Sequence, residues 1–112
     1  MATISPPVGR GDVLICQGSD NRVGARWLHD RQDGDGLVPV DLCGWSATFE
    51  MESGGELIWS TSCTCTSDGY AWADISASAF GFDMVGRRGS WRITATDGTR
   101  AERLCEGFWE VV

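Results

Sequence analysis

The sequence predicts an all-β protein: a single antiparallel sandwich of about eight strands with little helix. Two observations carry this. Turn-forming residues recur at roughly 8–12-residue spacing, and the runs between them alternate apolar and polar residues with a period of two. At 112 residues and 42% hydrophobic content, the chain is the size of one domain with one packed core. Short strands in that number and length describe a sandwich of the immunoglobulin-like kind.

Each element follows in order. Residues 1–11, with Pro6, Pro7 and Gly9, show no apolar period and are expected to form an extended arm or terminal strand ahead of a β-sandwich domain at 12–112. The first strand of that domain is expected at 13–16. A second, at 23–30, sets Val23, Ala25 and Trp27 on one face. Residues 31–36 read Arg-Gln-Asp-Gly-Asp-Gly, a loop, because glycine and aspartate serve the special backbone positions of tight turns. After 38–42 and Gly44 comes the clearest strand, 45–52. There Trp45, Ala47, Phe49 and Met51 alternate with Ser46, Thr48, Glu50 and Glu52, which buries one face and wets the other.

The run Ser53-Gly54-Gly55-Glu56 predicts a hairpin into an antiparallel strand at 57–65. Asp68-Gly69 turns the chain into a strand at 70–75, with Tyr70 and Trp72 opposite Ala71, Ala73 and Ile75. One helical turn is expected at 76–80 and a surface crossover at 81–89. Trp91, Ile93 and Ala95 then alternate through a strand at 91–96, Asp97-Gly98 makes a hairpin, and strands at 100–105 and 108–112 close the chain.

Charge narrows the function classes. Sixteen acidic residues face nine arginines and no lysine, for a formal charge of −7, a balance that disfavours nucleic acid as a partner. No run approaches the roughly 18 apolar residues of a membrane span, and the start of the chain lacks the basic and apolar segments of a signal peptide. Synthesis and retention in a cytoplasm are expected. There the five cysteines, 16, 43, 63, 65 and 105, are expected to be reduced, buried thiols.

No constellation points to catalysis or a cofactor. His29 is the single histidine, the side chain on which neutral-pH acid–base chemistry would lean, and no nucleophile motif accompanies it. It reads as a solvated strand-end residue. Cys63 and Cys65 share a strand face, but a zinc site would need His29 with Cys43 or Cys105 as further ligands, without the short paired spacing such sites use. Asp33, Asp35 and Gly36 resemble the middle of a calcium loop, yet that register puts Arg31 and Leu42 where carboxylates are required. Arg10-Gly11-Asp12 matches an integrin-recognition tripeptide at chance length, and Arg87-Arg88 is too short a basic run to bind nucleic acid. No enzyme, metal or cofactor is therefore expected. The chemistry that remains is aromatic: Tyr70 and Trp72, sharing one face, are expected to form an exposed pair suited to a protein interface or to stacking on a sugar ring.

The order of these signals resembles the small β-sandwich modules of tailed-bacteriophage virions, as in the N-terminal domains of baseplate upper, tail-fibre and minor tail proteins. The resemblance lies in Arg10-Gly11-Asp12, the loop at 33–36, Pro39-Val40-Asp41-Leu42-Cys43-Gly44-Trp45 leading into Ala47-Thr48-Phe49-Glu50-Met51, Asp68-Gly69, Gly89-Ser90-Trp91-Arg92-Ile93-Thr94-Ala95, and Asp97-Gly98 turning into Glu102-Arg103-Leu104. It runs from Arg10 to Val112, with Cys43 where threonine is usual. It implies a non-enzymatic virion structural protein, made in a bacterial host cytoplasm and acting by protein–protein contact with tail or capsid proteins. It also implies a homo-oligomer in the particle, with neither membrane nor nucleic acid as partner. A tail, baseplate or minor tail role is expected; the alternatives are a capsid decoration protein and a carbohydrate-binding sandwich module.

Overall fold

A computed structural model describes residues 9–31 and 36–112. Ten strands occur among the described residues: β1 (Gly9–Arg10), β2 (Val13–Ile15), β3 (Asn21–Arg26), β4 (Leu28–Arg31), β5 (Gly36–Pro39), β6 (Ser46–Ser53), β7 (Glu56–Cys65), β8 (Tyr70–Ile75), β9 (Arg88–Thr96) and β10 (Ala101–Val111). The one helical element among the described residues is a 3-10 turn at Phe82–Met84. Neighbouring strands run β1-β10-β9-β6-β7-β8-β3, β2 also lies on β10, and β4 and β5 form a separate hairpin. The result is an immunoglobulin-like β-sandwich.

Strand β7 joins the two layers. It pairs with β6 from Glu56 to Cys63 and then passes Thr64 and Cys65 to β8, so one ten-residue strand belongs to both layers and the sheet nearly closes on itself. The opposite margin stays open. There β1 and β2 run parallel to β10, while β3 ends the other layer, leaving a seam of about 440 Å³ floored by Val23 and Trp91.

The core is what the alternation at 45–52 demands. Ala47, Phe49 and Met51 are buried while Ser46 and Thr48 are exposed, and Trp45 packs half-buried against the core. Phe49 stacks on Trp91 with centroids 5.8 Å apart and meets Trp59 edge-on at 6.1 Å. Trp59 in turn meets Phe80 at 5.3 Å. Each such pair adds roughly 0.5–1.5 kcal/mol beyond its buried area, so this run of rings ties β9, β6 and β7 together and reaches Phe80 in the segment after β8.

Several expectations are corrected. The single strand expected at 23–30 is two, because at Trp27 the backbone leaves its neighbour: Trp27 N donates to Gly69 O, and Val40 N donates to Trp27 O. Residues 76–80 form turns without a helix, and the tight helical turn comes later, at Phe82–Met84. The crossover ends sooner than expected, since Arg88 and Gly89 already belong to β9. The two closing strands are one, the 11-residue β10, with a bulge between Arg103 and Cys105. Of the expected arm or terminal strand at 1–11, Gly9 and Arg10 form a strand that pairs with Cys105 and Glu106. The rest of the arm, residues 1–8, lies outside the described residues.

Candidate interaction surfaces

Tyr70 and Trp72 do stack on one face, but half-buried and not exposed as expected. On the outward face of β3 and β8 the register opposes Arg22 to Asp74, Gly24 to Trp72 and Arg26 to Tyr70. Tyr70 and Trp72 stack nearly parallel, 4.7 Å apart with an interplanar angle of 11°. Arg22 lies over Trp72 at 5.3 Å and Arg26 over Tyr70 at 4.7 Å. Arg22 Nε also donates to Asp74 Oδ1 at 2.7 Å, and Arg26 Nε to the Asp68 carbonyl at 3.0 Å. The four side chains thus stack in the order Arg22, Trp72, Tyr70, Arg26, each ring covered on both faces by a cation or the other ring. The rings are half-buried, and sugar stacking needs an open ring face.

A second surface, which the sequence reading missed, covers the outside of β2, β10, β9 and β6. The strand register aligns Leu14, Glu110 and Arg88 in one row, and Phe108, Ser90 and Glu52 in the next. Phe108 is 69% exposed and Leu14 66%, large apolar side chains standing outward where a sandwich normally carries polar ones. Beside them Arg88 Nε donates to Glu110 Oε1 at 2.9 Å. These residues rim a groove of about 620 Å³ that reaches the β6–β7 hairpin at Gly54. The only sequence signal was a phenylalanine at a polar-parity position, obscured by the bulge earlier in the strand.

Further along the same face the surface is charged and paired. Arg92 reaches Glu52 at 2.8 Å and Glu50 at 3.3 Å, bonds that push the Arg92 guanidinium pKa above its usual value, the contact with Glu52 contributing most. Glu106 accepts from Arg10 and from Arg103, each at 3.1 Å. Charges so paired off across a sheet present an ordered surface.

The remaining candidates lie apart. His29 is exposed on β4, opposite Val38. Asp33 and Asp35 of the calcium-like loop lie outside the described residues. Cys63 and Cys65 are half-buried, as is Cys105, whereas Cys16 and Cys43 are exposed, correcting the expectation of five buried thiols. Burial drives the Cys63 thiol up to about 12 and also raises Cys65 and Cys105. Among the described residues no three His, Cys, Asp or Glu side chains are grouped so as to hold a metal ion.

One buried charge also escaped the sequence reading. Glu102 points inward, 7% exposed, and accepts from Arg100 at 2.6 Å. Arg100 lies over Trp27 and Trp45, 5.5 and 5.8 Å from the ring centroids, and those rings meet edge-on at 5.2 Å.

No family model matches the chain, and no curated protein matches it. Among solved structures it is similar to extracellular domains 3–5 of Drosophila OTK, at 14% identity and a TM-score of 0.37, over 97% of this chain and 35% of that one. The chain thus spans about a third of the length of that structure.

Proposed function

We propose that the chain is a non-enzymatic structural module of a tailed-bacteriophage virion, a tail- or baseplate-associated or minor tail protein that works through protein–protein contacts. One observation carries the contact-based reading. Phe108 and Leu14 stand exposed beside a groove and an Arg88–Glu110 ion pair on a rigid sheet face, and an apolar anchor with polar surroundings is the composition of a protein interface. The virion setting rests on the order of motifs from Arg10 to Val112.

Capsid decoration would use the same contact chemistry, so it is separated by location in the particle. The carbohydrate reading is the weaker one, because Arg22 and Arg26 occupy the ring faces that a sugar would need.

The test is to purify phage particles that carry the gene, probe them with an antibody to this chain, and locate the label by electron microscopy. Label at the tail tip or baseplate is the expected result, and label on the capsid shell would favour decoration. Absence of the chain from purified particles, or glycan-array binding that Trp72→Ala abolishes, would overturn the proposal.

A further inference from the structure

We infer that the face built by β2, β10 and β9 is a two-fold contact between copies of this chain, in which Phe108 of each copy enters the other's groove and Arg88 of each pairs with Glu110 of the other. The inference names the partner for the surface on which the assembly reading rests.

A two-fold contact requires one patch to carry both halves of every complementary feature, because residue i must meet residue j while j meets i. This patch does so for shape and for charge. Phe108 stands proud, 69% exposed, on the rim of the 620 Å³ groove that would receive its counterpart. Arg88 and Glu110 are register partners on adjacent strands, 2.9 Å apart, with the arginine side chain 78% exposed. A rotation axis beside this row brings cation to anion twice. A partner of unlike surface would need only one member of each set. On other faces carboxylates such as Asp20, Asp41, Asp83 and Asp97 are exposed, and like charges there oppose contact between copies.

The sheet edges are poorer routes to a dimer. On one side β1 and β2 are two and three residues long, too short to template another strand. On the other, an antiparallel copy of β3 centred on Gly24 would set Arg22 against Arg26 of its mate, like charges directly opposite.

The experiment is sedimentation velocity on the full chain over a wide concentration range, with Arg88→Glu, Glu110→Arg and Phe108→Ser variants whose melting temperatures are first shown to match the parent. Wild type should shift with concentration from 12.1 kDa towards twice that mass. Each charge reversal sets like charges across the axis and should weaken the dimer at least tenfold, as should Phe108→Ser. An equimolar mixture of Arg88→Glu with Glu110→Arg should recover it, because every cross-pair in that heterodimer is attractive and repair within one chain cannot reproduce the effect. A wild type monomeric at every concentration, single variants that dimerise as wild type does, or a mixture that stays monomeric would each overturn the inference. Incorporation into particles is read separately. A monomeric wild type with Phe108→Ser lost from particles sinks the dimer and leaves the assembly reading standing, whereas a dimer absent from particles does the reverse.

Discussion

Gly24 on β3 and Trp72 on β8 are register partners, and the indole lies so close over the glycine that a Cβ there would overlap ring atoms Cε3 and Cζ3. The relationship recurs twice between β9 and β10, where Trp91 opposes Gly107 and Trp109 opposes Gly89. In those two cases the indole also reaches past the glycine to a third strand or segment: Trp91 Nε1 donates to Gly11 O at 3.0 Å and Trp109 Nε1 to Glu52 O at 3.1 Å. A glycine that would weaken a strand is thereby covered by an aromatic ring.

Gly24→Ala should cost about 1–3 kcal/mol, the usual penalty for forcing a methyl into occupied space. Trp72 can swing away, so Gly24→Ala with Trp72→Ala should cost less than the sum of the single changes. Gly107→Ala should cost more than Gly24→Ala, since its Cβ would sit 2.7 Å from the Gly11 carbonyl carbon, a backbone atom. Urea titrations check the order, and equal losses at the two sites would contradict it.

What was legible in the sequence tracks how faithfully parity is kept. Residues 45–52 were legible because nothing interrupts the alternation that buries Phe49. In β10 the inward residues are Glu102 and Leu104 before the bulge but Trp109 and Val111 after it. The added residue flips the parity and makes one strand read as two. The same flip put Phe108 outward without warning and hid the groove beside it. Tyr70 and Trp72 were placed on the right face, yet their covering arginines come from a strand some fifty residues earlier, and cross-strand register is not written in local periodicity.

Thiol reactivity should divide along burial. With the Cys63 thiol pushed up to about 12, its thiolate fraction at pH 8 is only about 10⁻⁴, and the thiolate is the reactive form. Cys43 is exposed but raised by its contact with Asp41, the largest cause, and Cys16 is exposed on the turn after β2. Native protein treated with a thiol reagent at pH 8 should therefore label first at Cys16, more slowly at Cys43, and at Cys63 only after denaturation. Peptide mass spectrometry reads the order, and rapid native labelling at Cys63 would refute it.

Acid should weaken the fold through three aspartates. The Asp74 carboxyl is held below its usual range chiefly by its hydrogen bond from Arg22, Asp97 by the amides of Arg100 and Thr99, and Asp41 by the amide of Cys43. A carboxylate whose folded pKa is depressed contributes stability that is fully present above the unfolded value, about 3.9. That stability is lost as pH falls through the lower folded value. Unfolding free energy from pH 7 to 5 should be flat with respect to these groups and should fall below about pH 4. Asp97→Asn should show a shallower fall in that acid window, and an unchanged acid slope would remove Asp97 from the account.

The Arg100–Glu102 pair should be the costliest surface-reaching ion pair to break. Exposed pairs such as Arg22–Asp74, with side chains 57% and 60% exposed, contribute little because water screens them and their side chains lose freedom. Glu102 differs because its side chain is only 9% exposed, so removing its partner leaves a carboxylate in a site that water cannot fully reach. Arg100 is 41% exposed, which discounts the loss below that of a fully buried pair. Arg100→Ala should then cost about 1–3 kcal/mol, the penalty of stranding a buried acceptor, and should also uncover the Trp27 and Trp45 rings on which the guanidinium lies. Arg100→Lys keeps the charge but loses the planar stacking and the forked donation to Glu102, so it should recover only part of the loss. Arg100→Ala combined with Glu102→Leu should recover most of it, since an apolar side chain at 102 needs no partner. Denaturant titrations of the four proteins, with tryptophan fluorescence reporting the two rings, decide the matter. An Arg100→Ala protein as stable as wild type would mean that water reaches Glu102 after all.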